Sequence, residues 1–243
     1  MSVTAESKPI TTKGRAAWVK EAARAEGFDA CGIAAVAPAD PDDKLGAWLS
    51  RDYHGDMQWM ARTRAVRQDV TRKVAGARSV IVIAKNYYHE RPPEPIGTGR
   101  VARYAWGRDY HRALRKPLLR LAAAVDALEA GARSYASIDS GPVLERTWAE
   151  RAGVAAIGKN SLALRRDMGS WFFLATIITM IELQPDEPIG DVCGTCTACL
   201  DACPTGAIVS ERVVDARRCI SYQTIENRAA VPEEIAAAHG DWI

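Results

Sequence analysis

The run Cys193-x2-Cys196-x2-Cys199-x3-Cys203-Pro204 constrains this chain more than any other feature. Four cysteines so close together point to a metal site rather than to core packing. The spacing lets one loop wrap three corners of a cube. Gly194, Thr195 and Ala198 are small enough for backbone amides to approach the sulfurs, and Pro204 turns the fourth cysteine away. In iron-sulfur proteins that carry this run, three thiolates hold one 4Fe-4S cluster and the fourth reaches a second cluster. Zinc also takes C-x2-C pairs, but it does not use a four-cysteine run ending in proline.

Cys219, sixteen residues beyond Cys203, is expected to serve the second cluster, with a packed structural thiol as the alternative. Two clusters of four thiolates each need more than the five cysteines of this region, and Cys31 stands too far away to count. The expectation is a truncated piece of a longer protein, or a cluster that is incomplete or completed by another group.

A chain of 243 residues has room for one large domain and a small module. The net charge of +2 makes no case by itself for nucleic acid or membrane. The polar first fifteen residues lack the apolar stretch of a secretory signal, and the six cysteines suit a reducing compartment, so the cytoplasm is expected. Trp171 to Leu183 is the most apolar run, too short to cross a ~30 Å hydrocarbon core. It is expected as a buried strand or helix, and no membrane association is expected.

Along the chain, Thr12 to Glu26 has helical spacing, and Phe28 to Ala35 predicts a strand. Asp40, Pro41 and Asp43 predict the start of a helix, a capping carboxylate and then proline, carrying Leu45, Trp48 and Leu49 inward. The β-branched run Ser79 to Ala84 predicts a mid-sheet strand buried on both faces. The proline-rich segment from Glu90 to Gly99 predicts an exposed loop. Asp109 opens a long helix with Leu114, Leu118, Leu121, Val125 and Leu128 on one stripe, ending at Gly131. Arg133 to Ile138 predicts a strand, followed by a tight turn at Asp139-Ser140-Gly141-Pro142 and a helix through Arg151. Interleaved helices and strands predict an α+β class, a layered α/β domain over residues 1–184, followed by a partial ferredoxin-like iron-sulfur module over residues 185–243.

Five stretches, in this order ahead of the cysteine run, resemble the epoxyqueuosine reductase family. They are M-Q-W-M-A-R at Met57 to Arg62, R-Y-A-W-G-R-D-Y-H at Arg103 to His111, D-S-G-P-V-L-E-R at Asp139 to Arg146, A-E-R-A-G-V-A-A-I-G-K-N at Ala149 to Asn160, and R-R-C-I-S-Y-Q-T-I-E at Arg217 to Glu226. The resemblance implies a cobalamin and 4Fe-4S enzyme that reduces the epoxide of epoxyqueuosine in transfer RNA to the alkene of queuosine. An external donor would supply single electrons. It implies Asp139 as general acid, against a bland role as a helix cap. It also implies corrin contacts at Arg62, Ala102, Asp139, Gly158, Ala163, Leu174 and Ser221, and metal ligation by Cys193, Cys196, Cys199, Cys203 and Cys219. Ala102 stands where other members can hold cysteine. The family pattern continues past this chain's end with further cysteines, so the chain is expected to bind cobalamin and to turn over poorly.

Arg146 is expected either to orient substrate or to pair with Glu150 across one helical turn. Arg103, Arg108, His111, Arg112, Arg115 and Lys116, beside Tyr104, Trp106 and Tyr110, are expected to meet transfer RNA phosphates or to form a solvated helix face. Lys159-Asn160 carries the same two readings. His54, His89 and His239 are expected at the surface, and the chain as a monomer. Competing functions are a ferredoxin-like electron carrier, a reductive dehalogenase using the same cofactors, and an inactive fragment.

Overall fold

The computed structural model describes residues 11–90 and 97–242. Helix α1 (Thr12–Ala25) leads to strand β1 (Ala30–Ala35) and three short helices, α2 (Lys44–Ser50), α3 (Gln58–Arg62) and α4 (Arg64–Gln68). Strand β2 (Ser79–Asn86), helix α5 (Tyr110–Asp126), strand β3 (Ser134–Ser137) and helix α6 (Glu145–Arg151) follow. Then come a small hairpin of β4 (Ala156–Ile157) and β5 (Ala163–Leu164) and the long strand β6 (Phe172–Thr179). The cysteine segment contains α7 (Ala198–Asp201), the pair β7 (Ile208–Ser210) and β8 (Val213–Val214), α8 (Ile220–Ile225) and α9 (Glu233–His239).

The main sheet has the order β1-β2-β6-β3 with every neighbour antiparallel. Strand β2 sits inside it and is buried on both faces, as its β-branched run predicts. Ile81 and Ile83 pack with Ala175 and Ile177 of β6 against Val19 of α1 and Leu118, Leu121 and Val125 of α5. Val80, Val82 and Ala84 face the other way, onto Trp148 and Ala149 of α6. Trp148 is fully buried, and each side chain of this size contributes roughly 1.5–3 kcal/mol by leaving water. The apolar run beginning at Trp171 is therefore a strand between two layers of helix.

Two helix starts differ from the sequence expectation. Helix α2 begins after Asp43, whose carboxylate accepts from the Gly46 amide at 3.2 Å, while Asp40 accepts from Lys44 and Leu45 at 2.9 and 2.8 Å. Two aspartates share the orphan amides, so Pro41 lies in the preceding turn instead of at the first helical position. Helix α6 begins only at Glu145, because the residues after β3 form a loop and not a short turn. Of the long proline-rich segment, residues 91–96 lie outside the described residues. Buried His54 corrects the expectation of a surface histidine: its ring lies 6.0 Å from that of Trp48 and within 3.2 Å of the Gln58 amide.

The cysteine segment rests on residues from the first quarter of the chain. The Trp48 indole donates to the Val214 carbonyl at 2.7 Å, and the Ala216 amide to the Tyr53 carbonyl at 2.8 Å. The Tyr222 hydroxyl accepts from the Asp56 amide at 2.9 Å. Gly55 has φ +54, and a Cβ there would stand 2.6 Å from that hydroxyl, so only glycine permits the approach. On the other side Lys159 pairs with Glu211 at 2.8 Å, and the Arg212 amide donates to the Lys159 carbonyl. This contact places Lys159 against the cysteine segment.

Candidate active site and cysteine segment

Asp139 follows β3 directly and has φ 55, a left-handed conformation that costs a non-glycine residue energy but suits aspartate better than most. The Ser140 amide donates back to the Ile138 carbonyl at 2.5 Å, closing a three-residue turn around Asp139. With positive φ at its centre this is the rarer, strained form of such a turn. A second i to i+2 bond, from the Val143 amide to the Gly141 carbonyl at 2.9 Å, continues the loop. Asp139 therefore caps no helix; α6 starts six residues later, and its preceding residue, Leu144, makes no side-chain cap. The carboxylate is exposed.

Three features hold this loop. The Tyr110 hydroxyl, from the first turn of α5, donates to Asp139 Oδ2 at 2.5 Å. Burial, the bond to Asp139 and that residue's charge all push the tyrosine's pKa up, so it remains a donor at any working pH. The Tyr110 ring lies parallel to Phe173 of β6, with centroids 4.1 Å apart and planes at 7°. Arg67 of α4 is buried, and its guanidinium donates to the Val143 carbonyl at 3.0 Å and reaches the Gly141 carbonyl at 3.5 Å. Gly141 is sterically required, since a Cβ would come 2.1 Å from the Ser137 hydroxyl oxygen.

Glu145 and Arg146 stand behind the loop. Burial pushes the Glu145 carboxyl up to about 8, with the charge of Asp139 adding to it and Arg67 and Arg146 opposing. Arg146 donates to the Ser161 carbonyl at 2.6 Å in the turn between β4 and β5, while Glu150 pairs with Arg212 at 3.6 Å. The expected helix-surface pair of Arg146 with Glu150 is therefore replaced by a tie across the site. The protein around the Arg146 guanidinium lowers its pKa, with the charges of Glu145 and Asp139 opposing. Tyr104, Ala105, Gly107, Arg108, Asp109 and Tyr110 line a shallow cavity of about 330 Å³. Sequence reasoning missed Arg67 and Phe173 and gave Glu145 no role, although Glu145 lies in the stretch Asp139 to Arg146 as Tyr110 lies in Arg103 to His111.

The family model for epoxyqueuosine reductase QueG, DUF1730, matches residues 67–140. An epoxyqueuosine reductase of Gloeobacter violaceus is 46% identical over 231 residues, covering 94% of this chain and 72% of the relative. The chain belongs to the epoxyqueuosine reductase family. An Escherichia coli member is 40% identical over 242 residues, covering 98% of this chain and 64% of the relative. Among solved structures, a crystal structure of epoxyqueuosine reductase with an epoxyqueuosine-modified tRNA-Tyr stem loop has a TM-score of 0.82 at 30% identity. A Bacillus subtilis epoxyqueuosine reductase, described with its catalytic aspartate loop swung out of the active site, has a TM-score of 0.81 at 30% identity. The chain spans 61% of the length of each of these two, which cover 93% of it.

The positions that the epoxyqueuosine reductase resemblance assigns to corrin contact are distributed as follows. Ala163 and Leu174 pack in the core layer that also holds Val143 of the Asp139 loop, and the buried Gly158 donates its amide to the Leu162 carbonyl at 2.8 Å in the same hairpin turn. Ala102 precedes the turn carrying Tyr104, whose pKa is raised by burial and by the charge of Asp139. Arg62 and Ser221 are exposed, on α3 and in the first turn of α8. Small residues at Ala102, Gly158 and Ala163 suit a large flat group held by backbone and shape.

In this family member a model for a 4Fe-4S double cluster binding domain matches residues 192–243. Among the described residues no three Cys, His, Asp or Glu side chains are gathered closely enough to hold one metal ion. The donor chemistry nevertheless fits iron-sulfur ligation. Cys193, Cys199, Cys203 and Cys219 are half-buried and Cys196 exposed. Burial alone would raise the Cys203 thiol, but hydrogen bonds from the Ile208 amide, the Thr205 hydroxyl and the Ala207 amide outweigh it and lower the pKa, favouring the thiolate a cluster needs. Arg103, expected to meet phosphate, is stacked over Trp171 at 4.7 Å, Tyr88 at 5.2 Å and Trp106 at 5.7 Å. Arg108, Arg112, Arg115 and Lys116 are exposed. No helix among the described residues is long and apolar enough to cross a membrane.

Proposed function

We propose that this chain reduces epoxyqueuosine in transfer RNA to queuosine, with Asp139 as the acid that protonates the departing epoxide oxygen. The observation that carries the reading is the strained, exposed Asp139 carboxylate held by Tyr110 in a chain of this family. A catalytic aspartate loop is named for the Bacillus subtilis relative, and an epoxyqueuosine-modified stem loop accompanies another. The division into a domain over residues 1–184 and a cluster module over residues 185–243 belongs to the same proposal.

The residues present would do the following. Ala102, Gly158, Ala163 and Leu174, with Arg62 and Ser221 at the rim, would hold cobalamin, which when bound supplies a low-valent cobalt centre able to take the epoxide carbon. Cys193, Cys196 and Cys199 would hold one 4Fe-4S cluster, and Cys203 with Cys219 part of a second, passing single electrons from an external donor. Tyr110 fixes the direction of the Asp139 carboxyl. Arg67 keeps the loop from collapsing, and Arg146 braces the opposite wall. The exposed basic residues of α5 would meet transfer RNA phosphates.

The test is a single turnover under anaerobic conditions. The chain is loaded with cobalamin, reduced chemically so that the clusters are bypassed, and mixed with an epoxyqueuosine stem loop. Formation of the queuosine alkene is expected. Bound corrin without product overturns the reading, and cluster absorbance without corrin binding favours an electron carrier.

A further inference from the structure

Opening an epoxide to an alkene and water consumes two electrons and two protons, and both carbon-oxygen bonds break. The first proton meets the oxygen as the ring opens. The second turns the resulting hydroxyl into water as the other bond breaks. One carboxyl delivers one proton at a time, so Asp139 must be recharged within a turnover while substrate covers it.

Glu145 is placed for that task. It opens α6, six residues after Asp139, and its Oε1 is buried with no hydrogen-bond partner. The charged groups facing it are Asp139 from the loop, Arg67 from α4 and Arg146 from its own helix. Neither arginine is committed to it. Arg67 is spent on the Thr63 hydroxyl and on the Val143 and Gly141 carbonyls, and Arg146 on the Ser161 carbonyl. No ion pair to Glu145 occurs within 4.0 Å among the described residues, although two guanidinium groups are near. Among the described residues its own backbone amide is the one hydrogen-bond donor to the carboxyl, and with Oε1 left unpaired the ionised form costs far more there than the neutral acid does.

We infer that Glu145 is a positioning residue that stores a proton behind the Asp139 loop and returns it to Asp139 between the two protonation steps. The inference rests on the epoxide-reduction reading. It adds a second carboxyl with a different duty: Asp139 touches the substrate, and Glu145 acts only through Asp139. The buried carboxyl is held up to about 8, so it keeps its proton at neutral pH.

Two measurements decide it. Infrared difference spectra of the chain alone, titrated from acid to alkali, should contain a protonated-carboxyl band that fades near pH 8, survives in Asp139→Asn and is missing in Glu145→Gln. In the single-turnover assay Glu145→Gln should bind cobalamin as the wild type does and form product ~10-fold or more slowly, with the deficit changing across the same pH range. Glu145→Asp should recover part of the rate. A missing band, or a Glu145→Gln rate equal to wild type at every pH, overturns the inference and leaves the function standing. A wild type that binds corrin and forms no product ends both.

Discussion

The Tyr110 hydroxyl donates to Asp139 Oδ2 at 2.5 Å and so joins the first turn of α5 to the strained turn after β3. The bond spans two elements that the sequence separates by 29 positions. It makes the aim of the carboxyl depend on a helix that is itself anchored through Leu118, Leu121 and Val125 in the core.

Replacing Tyr110 by Phe keeps the stack on Phe173 and removes only this bond. A hydrogen bond to a charged group contributes about 1.5–3 kcal/mol, so product formation should slow by ~10-fold to ~100-fold. Single-turnover rates alongside corrin titration check it: cobalamin affinity should hold while the rate falls.

Gly141→Ala drives a Cβ to within 2.1 Å of the Ser137 hydroxyl oxygen and 2.9 Å of its Cβ. Overpacking of this kind costs about 1–3 kcal/mol. Denaturant unfolding should register that loss, and Ser137→Ala, which removes the nearer atom, should restore part of it.

Arg67→Met should cost roughly 1–3 kcal/mol, because it strips the Val143 and Gly141 carbonyls of their donor. Hydrogen exchange at the amides of Ser140, Gly141 and Val143 should accelerate well before the sheet is affected. Equal exchange in variant and wild type would remove Arg67 from its clamping role.

The raised Glu145 pKa has a consequence for stability. Folded, the group holds its proton up to about 8; unfolded, it releases it near its ordinary 4.5. Between those values the folded state binds more protons, so this contribution is greatest below about 4.5 and shrinks as pH rises toward 8. Glu145→Gln should therefore gain stability relative to wild type as pH climbs through that window, by about 3 kcal/mol once the residue's partial contact with water is allowed for. Parallel urea curves at acid and alkaline pH read it directly.

Cys203→Ala should lower the iron and sulfide content of anaerobically reconstituted protein. It should hardly change the melting of the first domain, because Cys203 is only half-buried and lies outside both core clusters. Zinc in place of iron would contradict the ligand assignment.

The sheet and its long helix were legible because their signals are local. Ser79 to Ala84 is a continuous β-branched run, and the Leu118, Leu121, Val125 stripe repeats at helical spacing. The cysteine run was legible for the same reason. Asp139 could be assigned to chemistry only through the family pattern, since an aspartate between a strand and a helix also reads as a cap; the two consecutive i to i+2 turns depend on the close fit of Gly141 to Ser137. Arg67 sits 72 residues before Asp139 in the sequence, and nothing in its own helix marks it as that loop's clamp. His54 was misread because its burial comes from Trp48 and Gln58, six and four residues away across a turn that no periodic pattern in the sequence marks.

The seat of that segment also fixes an order of events. Trp48, Tyr53 and Asp56, which receive Val214, Ala216 and Tyr222, leave the ribosome more than 150 residues ahead of them. The cysteine segment thus docks on residues made long before it, and a change at Trp48, Tyr53 or Asp56 can disturb the cysteines without touching any of them.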